Sequence, residues 1–227
     1  MSLNLNITFH MKHKLLPFIL LSLLWASCSR KHTEETFYKN GVKSSEITYE
    51  GDTPEGVAKF WHPNGVLMQE NRYIGGKVSG TLTRWHPNGQ LETEEEYAHD
   101  LREGVSKAYS QEGKLLRKSY YVNDTLDGPH REFYENGTLK VKGCYAKGYY
   151  EGEWQWFDRD GTLLGDAFFH EGSGIQKAYH IDGTLLKEME YYKNHKVQKG
   201  AQPKPETKAG EDLLDDRKDV LKKGDNE

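Results

Sequence analysis

Aromatic, polar and glycine positions recur along the chain with a step of 24 residues. In each copy a glycine closes a turn, an aromatic residue stands four positions before it, and a leucine usually stands two positions after it. The turn glycines are Gly41, Gly65, Gly89, Gly113, Gly137, Gly161 and Gly183, and the last step is 22 residues. The first copy departs from the pattern, because Lys43 takes the place of the leucine. A fixed period of this length indicates tandem structural units.

Each repeat predicts two β-strands joined by a tight turn. One strand runs from a second glycine, such as Gly56, to the aromatic residue, and the other spans about residues 66–73. Because side chains alternate along a strand, one face of the latter has apolar ends and a polar middle at Gln69 and Asn71. Such a face is a poor core for a sandwich. The pattern predicts an all-β fold of tandem β-hairpin repeats, forming an elongated, twisted, mainly single-layer antiparallel sheet over residues 36–193.

The pentapeptide Trp-His-Pro-Asn-Gly occurs twice, at 61–65 and at 85–89. Its proline and asparagine suit the middle of a tight turn, and its glycine accepts a positive φ. All the other copies keep the glycine and replace the proline, and all but the last, which has His180, replace the histidine, whereas a repeated metal or nucleic-acid site would keep the histidine throughout. His62 and His86 are therefore interpreted as turn residues, and no metal site is predicted.

Taken together, these positions resemble the bacterial variant of the MORN repeat. The shared pattern places an aromatic residue five positions after a glycine, then Asn-Gly or Asp-Gly, a leucine and a tyrosine, over about residues 36–193. The resemblance implies an interaction scaffold, and it supplies no catalytic residues. Members of the family often bear an antitoxin label, so the resemblance also implies an alternative role as an antitoxin.

Residues 1–28 are typical of a signal peptide, with Met11 as the expected start. The run 15–26 is mostly apolar and follows two lysines. A helix of that length is too short to cross a bilayer comfortably, since crossing needs about 20 apolar residues. The segment instead matches the apolar region of a secretory signal.

The end of this segment resembles a bacterial lipobox. Ala26 and Ser27 stand before Cys28, although Trp25 occupies a position where leucine is usual. The resemblance implies cleavage before Cys28, lipid attachment to this cysteine and a location in the cell envelope, at the outer membrane in a Gram-negative cell. An ordinary secretory signal with a chance cysteine is the alternative.

Two polar segments flank the repeats. Residues 29–35 are polar, and we expect them to form a tether between the membrane and the folded part of the protein. Residues 194–227 are rich in Lys, Asp, Glu and Gly and predict a disordered tail. Around 213–221 the apolar residues have helical spacing, which leaves open a short helix that folds on a partner.

Composition excludes several classes of function. A net charge of −4 argues against a nucleic-acid binder, which would need a basic stripe. Two cysteines are too few for a disulfide framework or a cysteine-based zinc site. No cofactor motif, acid–base pair or nucleophile constellation stands out, so an enzyme is disfavoured and no catalytic residue is assigned.

Aromatic residues outside the repeat pattern define a candidate binding patch. Trp154 and Trp156 alternate in one strand, on the face opposite Phe157. Tyr150 stands just before them in the sequence, and Tyr134 of the preceding repeat falls on the same side. Because other repeats fill that face largely with polar groups, the four aromatic residues predict an interaction surface. The alternative is that the tail or the curvature of the sheet covers them.

These patterns predict a non-enzymatic, membrane-anchored repeat scaffold in the cell envelope that binds a protein or a cell-wall polymer through its sheet. The alternative is an antitoxin-like or immunity-like protein that neutralises one toxin by direct binding.

Overall fold

A computed structural model describes residues 30–197, which form 17 antiparallel β-strands in one open sheet. The strands are β1 (Lys31–Phe37), β2 (Lys43–Glu50), β3 (Thr53–Trp61), β4 (Leu67–Ile74), β5 (Lys77–Val78), β6 (Gly80–Trp85), β7 (Leu91–Ala98), β8 (Leu101–Tyr109), β9 (Leu115–Val122), β10 (Thr125–Leu126), β11 (Gly128–Phe133), β12 (Leu139–Ala146), β13 (Tyr149–Phe157), β14 (Leu163–His170), β15 (Ser173–Tyr179), β16 (Leu185–Tyr192) and β17 (His195–Lys196).

The sheet is a meander, since each strand pairs with its neighbours along the chain. β5 and β6 both pair with β4, and β10 and β11 both pair with β9, so each couple is one strand with a short interruption. The predicted all-β fold of tandem hairpins in a single layer is thus confirmed. Within residues 30–197 there is no helix with the length and apolarity needed to span a membrane.

The turn glycines have the backbone conformation that the repeat pattern predicts. In the hairpin between β3 and β4, the His62 N–H donates to the Val66 carbonyl at 2.8 Å, and the Gly65 N–H donates to the His62 carbonyl at 2.9 Å. Gly65 adopts a φ of +85°, which a residue with a Cβ seldom adopts. The other six turn glycines also have positive φ values.

The repeated pentapeptide also fastens each hairpin to the next one. His62 Nε2 lies 2.8 Å from the Trp85 carbonyl oxygen, and Asn64 Nδ2 donates to the Pro87 carbonyl at 2.8 Å. Asn64 Oδ1 accepts a hydrogen bond of 3.1 Å from the Val66 N–H, within its own turn. The same contacts recur one repeat later, from His86 to Tyr109 and from Asn88 to Gln111. The histidine and asparagine therefore stack the repeats, beyond the turn role predicted from the sequence.

Replacing Asn64 with aspartate should weaken this stacking. Aspartate keeps the oxygen that accepts the hydrogen bond from the Val66 N–H, but it has no N–H group to donate a hydrogen bond to the Pro87 carbonyl. We expect the free energy of unfolding to fall by about 1 kcal/mol, the usual net contribution of a hydrogen bond, in urea denaturation followed by circular dichroism. Asp182→Asn is the control, because no repeat follows this turn within the described residues and stability should stay unchanged. Equal effects of the two substitutions would contradict the stacking role.

One face of the sheet, here called the core face, holds the buried residues. A row across its centre is exposed by 7% or less and consists of Ala58, Asn71, Leu82, Ser106, Ser119, His130, Trp154 and Ala167. A parallel row of aromatic residues flanks it, and most of these rings lie opposite a glycine on the preceding strand, as Tyr145 lies opposite Gly128. The core is therefore built within one layer.

Two predicted boundaries of the repeat region need correction. Residues 31–35, predicted as tether, belong to β1, which pairs with β2 along its whole length. β1 is an edge strand with every residue exposed, so no apolar alternation marks it in the sequence. At the other end, β17 extends the sheet past residue 193 to Lys196. The predicted signal peptide, Cys28 and residues 198–227 lie outside the described residues.

Candidate functional site

Three of the four residues of the predicted patch meet on the core face. The Tyr150 and Trp154 ring centroids are 4.7 Å apart, and those of Trp154 and Trp156 are 6.0 Å apart. Trp154 is only 2% exposed, and its Nε1 donates to the Cys144 carbonyl at 3.1 Å. Trp154 is therefore a core residue, and its prediction as part of an exposed binding patch is wrong. Polar residues at the equivalent position of earlier repeats, Ser106 and His130, are buried as well.

Tyr134 lies apart from this cluster, in the turn that follows β11. Its hydroxyl donates to the Phe157 carbonyl in the next hairpin at 3.0 Å, and the Arg159 guanidinium lies 5.7 Å from its ring centroid. A depression of about 390 Å³ adjoins it. Tyr134 thus takes the stacking position that His62 occupies in an earlier repeat.

The opposite, outer face exposes a large apolar pair in the C-terminal hairpins. Phe168 of β14 and Ile175 of β15 are direct cross-strand partners, and they are 66% and 52% exposed. A depression of about 500 Å³ adjoins both side chains. Exposed apolar residues of this size, close together on a surface, mark interaction sites. Sequence reasoning missed this pair, because earlier repeats place residues of mixed character, Arg72, Glu96, Tyr120 and Cys144, where Phe168 stands.

Acidic residues surround the apolar pair. Glu153 is the cross-strand partner of Phe168, and Glu190 is the partner of Ile175. The neighbouring row across the same four strands holds Gln155, Asp166, Lys177 and Glu188. These eight residues are called the outer-face patch. The patch has four carboxylates and a single ammonium group, so its apolar centre has an acidic rim. Such a surface complements a ligand whose apolar group is flanked by positive charges.

A hydrogen-bonded chain of a serine, a histidine and a carboxylate occurs on the core face. Ser119 Oγ lies 2.9 Å from His130 Nδ1, and His130 Nε2 lies 3.5 Å from Glu132 Oε1. Ser119 is only 1% exposed, which leaves a substrate no access to its hydroxyl. The arrangement therefore satisfies buried polar groups between β9 and β11, and it does not form an open active site. Sequence spacing alone does not reveal that Ser119 and His130 meet.

The contacts of Glu132 predict a pH dependence of stability. His130 and Lys140 lower the pKa of Glu132 to about 2. A lowered pKa stabilises the fold above the ordinary value of 4.5, and this stabilisation is lost as the pH falls towards 2. Since Glu132 is partly exposed, we expect Glu132→Gln to cost about 1–2 kcal/mol at pH 7, after allowing for solvent screening.

Urea denaturation at pH 7 and at pH 2 checks this expectation. The difference between wild type and Glu132→Gln should shrink at the lower pH, whereas Glu135→Gln, in an exposed turn, should match wild type at both. A constant difference across the pH range would contradict the charge-based explanation.

Within residues 30–197, no three His, Cys, Asp or Glu side chains are grouped so that they could hold a metal ion.

The open meander of equal hairpins, fastened to one another at their turns, defines a tandem β-hairpin repeat protein. Five consecutive segments match the MORN repeat variant family, at residues 54–74, 79–99, 102–123, 126–147 and 150–171. Over residues 54–171 the chain belongs to this family. The hairpins on either side continue the same sheet. A comparison with curated proteins gave no match.

Proposed function

We propose that this protein is a non-enzymatic repeat scaffold of the cell envelope, anchored to a membrane by a lipid on Cys28, which captures a partner through its sheet. The outer-face patch is the observation that supports partner capture. Its apolar pair is held on paired strands rather than on a loop, so little ordering is needed when a partner binds. The acidic rim favours a protein partner that presents apolar and basic side chains over an uncharged polymer.

Affinity capture from an envelope extract tests the role of the patch. We expect a partner that wild-type protein retains at low salt to be lost from the Phe168→Ser/Ile175→Ser variant, since both apolar anchors are removed. Val57→Ser is the matched control, because Val57 is an apolar outer-face residue of an earlier repeat and is 44% exposed. Equal retention by wild type and the double variant would overturn the role of the patch.

Fatty-acid labelling with cell fractionation tests the anchor. The apolar run at 15–26 and the lipobox-like residues before Cys28 support this part of the proposal. Label should appear on wild type and on Cys144→Ala in the membrane fraction, and it should be absent from Cys28→Ala. Cys144→Ala is the matched control, because Cys144 is the other cysteine of the chain. Unlabelled wild type in the cytosol would overturn the anchor and favour the antitoxin alternative.

A further inference from the structure

The carboxylates of the outer-face patch are largely without partners in the described part of the chain. Among residues 30–197, Glu153, Glu188 and Glu190 make no ion pair, and Asp166 accepts a hydrogen bond of 3.0 Å from the Tyr179 hydroxyl. Together with Phe168 and Ile175, they present apolar surface and negative charge to any segment within reach. The complementary segment would hold two adjacent apolar residues between basic ones.

The C-terminal sequence of the same chain contains such a segment. Residues 217–223 read Arg-Lys-Asp-Val-Leu-Lys-Lys, so two pairs of basic residues flank Val220 and Leu221, with the single acidic Asp219 between the first pair and Val220. A few positions earlier, residues 211–216 read Glu-Asp-Leu-Leu-Asp-Asp, an equally apolar pair between two pairs of acidic residues. Only the first of these segments complements the charge of the outer-face patch.

The last described residue places the chain close to the patch. The Val197 N–H donates to the Glu190 carbonyl at 2.8 Å, and Glu190 is the cross-strand partner of Ile175. Val197 and Ile175 are thus two strand spacings apart, about 10 Å. A connection of some 20 residues spans at most about 66 Å when fully extended, which is far more than this distance. The segment 217–223 can therefore reach the patch without strain.

We propose that the segment 217–223 lies on the outer-face patch of its own chain, with Val220 and Leu221 against Phe168 and Ile175. The four basic side chains then face the carboxylates of the patch. The segment covers the surface that captures the partner in the proposed function, so a partner must displace it. This inference rests on the same patch as the proposed function, but it concerns the chain without its partner.

Disulfide trapping in the full chain tests the contact. Gln155→Cys introduces a thiol within the patch and leaves the apolar pair intact, in a background with Cys28→Ala and Cys144→Ala. A second thiol is placed at Leu221→Cys or, as the matched control, at Leu214→Cys. Without docking, the two disulfides should form at similar rates, because the probability of closing a loop falls only slowly with its length. The shorter loop, to residue 214, is then favoured by about 1.2-fold.

We expect the cross-link to residue 221 to form at least about tenfold faster than the cross-link to residue 214, since docking raises the effective concentration of the thiol. The preference should fall in 1 M NaCl, where charges are screened within about 3 Å, and after Glu153→Lys/Glu190→Lys reversal. Equal rates, or a faster cross-link to residue 214, would overturn the proposal. Cross-links between chains, seen as a doubled mass on a non-reducing gel, would overturn it in favour of a second copy. The trapping experiment contains no binding partner, so either of these contradicting outcomes leaves the result of the affinity-capture experiment unaffected.

Discussion

Replacing Phe169 with alanine should lower the free energy of unfolding by about 3–5 kcal/mol, the range observed for removing a buried phenylalanine. Phe169 is 1% exposed, and its ring centroid lies 5.2 Å from that of Tyr150 and 5.6 Å from that of Tyr191. It also lies opposite Gly152 and Gly174, so few neighbouring side chains can move into the space that its loss would create.

The adjacent Phe168 provides a matched control of the same residue type. It lies on the outer face with 66% exposure, so Phe168→Ala should change stability by less than about 0.5 kcal/mol. Both variants are measured by urea denaturation with circular dichroism and tryptophan fluorescence, and coincident transitions establish that the comparison is valid. Similar losses for the two variants would show that the assignment of the faces is wrong.

Adding a methyl group at Gly143 should destabilise the protein by about 1–3 kcal/mol, the usual cost of overpacking a core. A Cβ built on Gly143 would overlap with the Trp154 ring, and that ring is fixed by Tyr145, Tyr150 and the Nε1 hydrogen bond. The backbone at Gly143 does not have a positive φ, so the expected effect comes from the clash alone.

A double-mutant cycle separates this clash from other effects of the substitution. In a Trp154→Leu background the smaller side chain leaves space, and Gly143→Ala should then cost less than about 0.5 kcal/mol. Lys142→Ala is the control, because Lys142 is exposed on the outer face of the same strand. An unchanged cost in the Trp154→Leu background would show that the methyl group does not meet this ring.

The two faces of the sheet therefore divide stability from binding. Substitutions on the core face should unfold the C-terminal hairpins. A loss of partner capture in such variants would therefore not show that the substituted residue contacts the partner. Phe168 and Ile175 are suited to testing capture, because their side chains contribute little to the core. The pair Trp154 and Trp156, chosen from sequence alone, would have confused the two effects.

The sequence alone determined the repeated hairpin and its turns. Each turn glycine, the asparagine or aspartate before it and the period of 24 residues are local features, because turn type depends on the φ values of a few adjacent residues. The same period gave the single-layer meander, since identical hairpins joined by short turns pair with their neighbours. Strand β1 was not predicted from the sequence, because an exposed edge strand has no alternation of apolar and polar residues.

The tertiary structure alone decided which face of the sheet is buried. Alternation along a strand separates Phe168 from Phe169 and Trp154 from Gln155, but it does not say which set faces inward. That depends on how side chains of neighbouring strands pack against one another across the sheet, which buries Ser119 and Asn71 as fully as Trp154. The contact of Ser119 with His130 and the contact of His62 Nε2 with the Trp85 carbonyl oxygen likewise depend on the register between strands. Burial and contact across strands are properties of the assembled sheet, so no single repeat encodes them.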